Sequence, residues 1–85
     1  MIEEVPDGWS EMDTEFEQQL QAFQRRRDGL VVSVEKHTSP DGEYSVVTLP
    51  ENFVDDNSVI DWITDNDSRT EADSSAVTFM RNRDR

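Results

Sequence analysis

The sequence predicts an α+β fold: an N-terminal amphipathic helix packed on an antiparallel β-hairpin, then a short second helix and a possible third strand. Three features lead there. Apolar residues recur at helical spacing between Ser10 and Arg27, two β-branched runs flank a Pro-Asp-Gly turn, and apolar residues pair at i,i+3 near residue 60.

Residues 1–9 form an acidic lead containing Pro6-Asp7-Gly8, a turn signature. Ser10 then offers its hydroxyl as a helix N-cap, with Asp13 three positions on. Met12, Phe16, Leu20 and Phe23 follow at spacings of four, four and three, which stacks them on one helical face. Glu11, Asp13, Glu15 and Glu17 near the start and Arg25, Arg26 and Arg27 at the end complement a helix dipole, and Gly29 supplies the stop.

Leu30 to His37 reads as a strand, with Leu30, Val32 and Val34 on one face, Ser33 and Glu35 on the other, and Val31 breaking the alternation. Ser39-Pro40-Asp41-Gly42 marks a turn, and Glu43 to Leu49 resumes as a second strand that Pro50 ends, so the two runs form a hairpin. Behind Asp55, Asp56, Asn57 and Ser58 as possible caps, Val59, Ile60, Trp62 and Ile63 read as a short helix, with a strand through Ser58 to Thr64 as the alternative. Asp65 to Ser75 reads as an acidic loop, Ala76 to Met80 as the possible third strand and 81–85 as a frayed tail.

At 85 residues the chain has room for one small domain spanning 1–85. Leu, Ile, Val and Phe make up 19 of the 85 residues, just above the share of about 20 % below which a highly charged chain stays disordered. The core is therefore lean. With no cysteine, a disulfide staple is excluded and a zinc cluster lacks its usual thiolates.

Twenty Asp and Glu against eight Lys and Arg give a net charge of −12, and the basic set is seven arginines with Lys36 alone. Such a charge repels itself in dilute buffer and is screened in brine, so the composition fits a halophilic host. No apolar run approaches the roughly 18 residues of a membrane span, and Met1 to Gly8 is acidic rather than a basic leader. A cytoplasmic location is expected.

Asp65-Asn66-Asp67-Ser68-Arg69-Thr70-Glu71-Ala72-Asp73 alternates carboxylates as a calcium loop does. It places Arg69 fifth, Thr70 where a glycine must turn and Ala76 where a bidentate glutamate is needed, so no specific metal site is expected. His37 has no second His or Cys to complete a transition-metal site and no identifiable catalytic partner, and the three glycines form no phosphate cradle. No cofactor is implied, and the chain is read as a non-enzyme.

Arg25, Arg26 and Arg27 are the densest basic patch, read as dipole compensation in preference to nucleic-acid contact, because binding by phosphate neutralisation collapses as salt rises. Trp9 and Trp62 are the other candidate interaction residues. Trp9, ahead of the N-cap, is expected to be the more exposed, and Trp62, inside an apolar quartet, the more buried.

The segment Val46-Val47-Thr48-Leu49-Pro50, followed by Ile60-Asp61-Trp62-Ile63-Thr64, resembles a short uncharacterised haloarchaeal protein family carrying a Thr-Leu-Tyr-Pro piece and then a Trp-Ile-Thr or Trp-Leu-Ser piece. The likeness spans about residues 30–64 and lacks the tyrosine before Pro50. It implies a haloarchaeal origin and no activity or ligand. The sequence thus points to a non-catalytic interaction or regulatory module of a halophilic cell, acting on a protein partner or by self-association as a dimer. An acidic partner-blocking protein, such as a nucleic-acid mimic or antitoxin, and a small transcriptional regulator contacting DNA through Arg25–Arg27 are the alternatives.

Overall fold

The computed structural model describes residues 1–39, 42–53 and 58–83. Strands β1 (Trp9–Met12), β2 (Gln19–Arg25), β3 (Val31–Ser39), β4 (Gly42–Leu49) and β5 (Asp61–Asn66) pair antiparallel in sequence order as one sheet, and helix α1 (Arg69–Arg83) follows. The expected helix-on-hairpin fold is thereby overturned: the region from Ser10 to Arg27 holds two strands and their connection, and the described helix lies at the opposite end of the chain.

The glutamines explain the first correction. Gln19 and Gln21 look like solvent-facing helix residues, yet both are buried with their amides bonded. Gln19 donates to Ser33 Oγ at 3.0 Å and accepts the Glu15 N–H at 2.7 Å. Gln21 accepts the Ile2 N–H at 3.0 Å and donates to the Ile2 carbonyl at 2.8 Å, tying the N-terminal segment to β2. A register shift between Gln19 and Gln21 puts an irregularity at Leu20 and breaks the alternation that marks a strand in sequence. Gly29, expected as a helix stop, instead sits at φ 82° in the β2–β3 turn, where its N–H donates to the Arg25 carbonyl at 2.8 Å.

The β3–β4 hairpin forms as expected, in register from Val31 opposite Leu49 to Lys36 opposite Tyr44. Pro40 and Asp41 of its turn and the caps Asp55, Asp56 and Asn57 lie outside the described residues. The expected second helix is strand β5, in which Asp61 and Trp62 pair with Thr48 and Val47. The Ile60 N–H donates to the Thr48 carbonyl at 2.8 Å and the Asp61 N–H to Thr48 Oγ1 at 3.1 Å. Isoleucine, tryptophan and threonine suit a pleated surface, and the i,i+3 apolar pairing there is incidental.

Neither an acidic loop over 65–75 nor a strand over 76–80 exists; most of both lies in α1. Ser68 Oγ accepts the Glu71 N–H at 3.2 Å, the N-terminal half of a Ser-x-x-Glu capping motif. Ala72, Ala76 and Met80, four residues apart, form the stripe that meets the sheet, and the two alanines let the helix approach closely.

Both faces of the sheet are covered. On the helix side Phe23, Val32, Val34 and Val46 pack with Ile2, Trp9 and the α1 stripe. On the other, Ala22, Val31, Val47 and Leu49 pack with Met12, Phe16, Phe53 and Val59, and the Phe16 and Phe53 rings meet edge-on at 6.1 Å. Ser33, Glu35 and Ser45 are also buried, with Glu35 opposite Ser45 in the ladder. Every described Asp and Glu except Glu35 and Asp73 is exposed, so the acid excess lies on the surface.

Candidate functional site

β5 is an edge strand. It pairs with β4 on one side, and among the described residues no strand pairs with the other. Exposed edges invite pairing with another chain and are usually blunted. Here Asp61 and Asp65 are exposed charges on the strand, but Ile60 and Trp62 are 55 % and 49 % exposed beside them.

α1 lies over the same side of the sheet and leaves a groove along this edge. At one end an open concavity of about 730 Å³ is bounded by Arg25, Arg27, Ile60, Asp61, Trp62 and Asn82. At the other, a smaller one of about 290 Å³ is bounded by Thr64, Ser74, Ser75 and Thr78. Ile63 and Phe79 line both.

The corner at the wider end is built by the β2–β3 turn. Arg25 donates to Asp28 through Nε at 2.9 Å and Nη2 at 2.6 Å, a two-point pair. Together with the Leu30 N–H, that pair lowers the Asp28 carboxyl from 3.8 to about 2. The Arg25 guanidinium also lies 5.6 Å from the centre of the Trp9 ring. Arg26 donates to Ser10 Oγ at 3.1 Å and to the Trp9 carbonyl at 3.3 Å. Arg27 is exposed and lines the groove.

The structure therefore brings Arg25, Arg27 and Trp62 together and gives the other candidates different work. Trp9 is 1 % exposed, with its Nε1–H donating to the Met80 carbonyl at 3.1 Å, so it anchors the end of α1 to β1. The expected order of exposure of the two tryptophans is reversed. The three arginines terminate a strand and form a turn, so they compensate no helix dipole, and Asp28 and Glu51 sit among them. Sequence reasoning missed Phe79, whose signal was its position one residue from Met80 in a helix not recognised as one.

The acidic run read against a calcium loop is divided between β5 and α1. Asp65 accepts the Trp62 Nε1–H at 2.9 Å, and Asp73 meets Arg69 at 3.4 Å and the amino group of Met1 at 2.7 Å. Among the described residues no group of three His, Cys, Asp or Glu is placed to hold a metal ion. No described helix is long and apolar enough to cross a membrane. No protein-family model, curated protein or solved structure matches the chain.

Proposed function

We propose that this protein is a non-catalytic interaction module of a salt-adapted cell, and that it engages a protein partner through the β5 edge and the groove between β5 and α1. The observation that carries the reading is the exposure of Trp62 on β5 and of Ile60 just before it, on a strand whose outer side has no described partner strand, next to a concavity lined by Ile63 and Phe79. A lean domain gains nothing for its own fold by leaving two large apolar side chains in water, whereas exposed apolar clusters of this kind mark contact surfaces. Strand addition to an open edge uses backbone hydrogen bonds for affinity and the neighbouring concavity for selectivity.

Contact with DNA through Arg25–Arg27 is the weaker reading, because Arg25 is held by Asp28, Arg26 by Ser10 and the Trp9 carbonyl, and Glu51 lines the same cleft. A displayed library of random peptides of about ten residues, selected on the wild type and counter-selected on Trp62→Glu, tests the proposal. Enrichment that vanishes with Trp62→Glu, in a variant whose circular dichroism is unchanged, supports it. No enrichment, or equal binding to both proteins, overturns it.

A further inference from the structure

We infer that the occupant of the β5 edge is a second copy of this chain, joined by antiparallel pairing of the two β5 strands about a two-fold axis between Ile63 and Thr64, in an association that salt strengthens; this rests on the reading of β5 as a docking edge.

Charge selects the place. A body carrying −12 repels its own copy, so two of them close most readily where charge is sparse. Of all residues 33 % are charged, yet α1 from Ser74 to Met80 and β5 from Trp62 to Thr64 contain none. The two stretches meet, because the concavity of about 290 Å³ is lined by Ile63, Thr64, Ser74, Ser75, Thr78 and Phe79. This uncharged seam lies at the middle of β5, where a two-fold axis sets it against its own copy, as an isologous contact requires.

Register narrows the arrangement to one. β5 carries an extra residue at Ile63, since Thr64 stands opposite Val46 and Trp62 opposite Val47. Trp62 and Asp65, opposite Val47 and Ser45, therefore share one face of the strand, in keeping with the bond between them. Asp61, Thr64 and Asn66, opposite Thr48, Val46 and Tyr44, share the other face, and Ile63 packs with the cluster that contains Val46. Pairing across a two-fold axis sets side chains of the same face opposite one another. One full-length register does this: Asp61 opposite the partner's Asn66, Trp62 opposite the partner's Asp65 and Ile63 opposite the partner's Thr64. In it no carboxylate faces a carboxylate, whereas a slip of one residue sets Asp61 against the partner's Asp65. The half-exposed Trp62 gains the partner strand as a neighbour.

The sign of the salt dependence follows. At about 1 M salt the repulsion between like-charged copies is screened within roughly 3 Å, so association strengthens in brine, whereas a cationic partner drawn by the acid coat is released.

Sedimentation equilibrium of the intact chain in about 0.1 M and about 1 M potassium chloride, with circular dichroism recorded alongside, is expected to show a dimer whose dissociation constant falls roughly tenfold at the higher salt. Trp62→Glu, with its circular dichroism unchanged, is expected to dissolve it. The register is read at about 1 M salt with cysteine, which the chain lacks. Asp61→Cys combined with Asn66→Cys is expected to oxidise to a covalent dimer, and neither substitution alone is, because each position faces the other across the axis. A dimer that Trp62→Glu leaves intact, or cross-linking by either single variant, overturns the β5 pairing. A dimer that weakens as salt rises overturns the uncharged seam. A monomer at both salts overturns the second copy; Trp62-dependent enrichment of random peptides then leaves the docking edge standing, and its absence removes both readings.

Discussion

Trp9 and Trp62 stand on opposite edge strands of one sheet, and the structure treats them in opposite ways. Trp9 lies beneath the end of α1, with its indole N–H bonded to the Met80 carbonyl and the Arg25 guanidinium over its ring. Trp62 bonds three residues along its own strand, to the exposed Asp65, and is half open to solvent. The β1 edge is thus secured by contacts distant in sequence, including the Ile2–Gln21 pair beside it. Along the β5 edge a groove stays open between the strand and the helix. A sheet that protects one edge and leaves an indole on the other has spent its limited apolar material unevenly, and the uneven end is where binding is sought.

The largest expected effect is on the closed edge. Trp9→Ala removes a fully buried indole and its bond to α1, a change that costs about 3–5 kcal/mol in packed cores. A domain this lean has little more stability than that, so loss of the cooperative urea transition is expected at 25 °C. If the variant instead melts within about 1 kcal/mol of the wild type, the contrast between the edges fails at its firmer end.

Next comes the turn that carries the arginine corner. Gly29 at φ 82° occupies the left-handed region, and a Cβ there would meet Glu51 Cδ at 2.7 Å. Gly29→Ala is expected to cost about 1–2 kcal/mol from the backbone conformation alone. The glutamate is a flexible neighbour able to swing away, so Glu51→Ala should not rescue the variant, whereas a d-alanine at position 29, introduced by chemical synthesis, should. Rescue by Glu51→Ala would move the cause from backbone to contact. Denaturant midpoints of the variants decide the matter.

The parts of this fold that could be read from sequence are those in which residue type and environment agree. Val32 and Val34 against Ser33 and Glu35 gave the β3 faces correctly, and Val31, the apparent exception, is explained by a second apolar cluster on the far face. Strand β2 was hidden because its buried members include Gln19 and Gln21, whose hydrogen-bond partners come from β3 and the N-terminal segment. Met12 and Phe16 serve one face and Phe23 the other, so their helical spacing records no shared surface. α1 was hidden by Thr70, Ser74, Ser75, Val77 and Thr78, poor helix formers that tertiary packing of Ala72, Ala76 and Met80 overrides. Of the site, Arg25, Arg27 and Trp62 were named from sequence, but their meeting at one groove depends on β5 lying beside the helix, which no local pattern reports.

A smaller effect, visible only in acid, comes from Asp28. Its folded-state value of about 2 lies below the ordinary 3.8, so it favours the folded chain above a pH of about 4, and this contribution fades as pH falls toward 2. Arg25→Met should raise the Asp28 carboxyl from about 2 toward 3.8, read by an NMR titration of its Cγ resonance. Asp28→Asn should remove that part of the acid dependence and leave Arg25 over Trp9. An unchanged titration in Arg25→Met would mean that the turn backbone, through the Leu30 N–H, dominates.

The smallest expected change in stability is at the open edge, and it bears most directly on function. Trp62 is 49 % exposed and its indole N–H can bond to water as readily as to Asp65, so Trp62→Ala is expected to shift the unfolding free energy by no more than about 1 kcal/mol in urea, the order of the strand preference of tryptophan over alanine. A surface indole that costs the fold so little when removed is not held there by folding, and its removal should instead appear as lost binding. A cost of several kcal/mol would make Trp62 a structural anchor like Trp9. The two edges would then be alike, and the groove between β5 and α1 would lose its claim to be a docking surface.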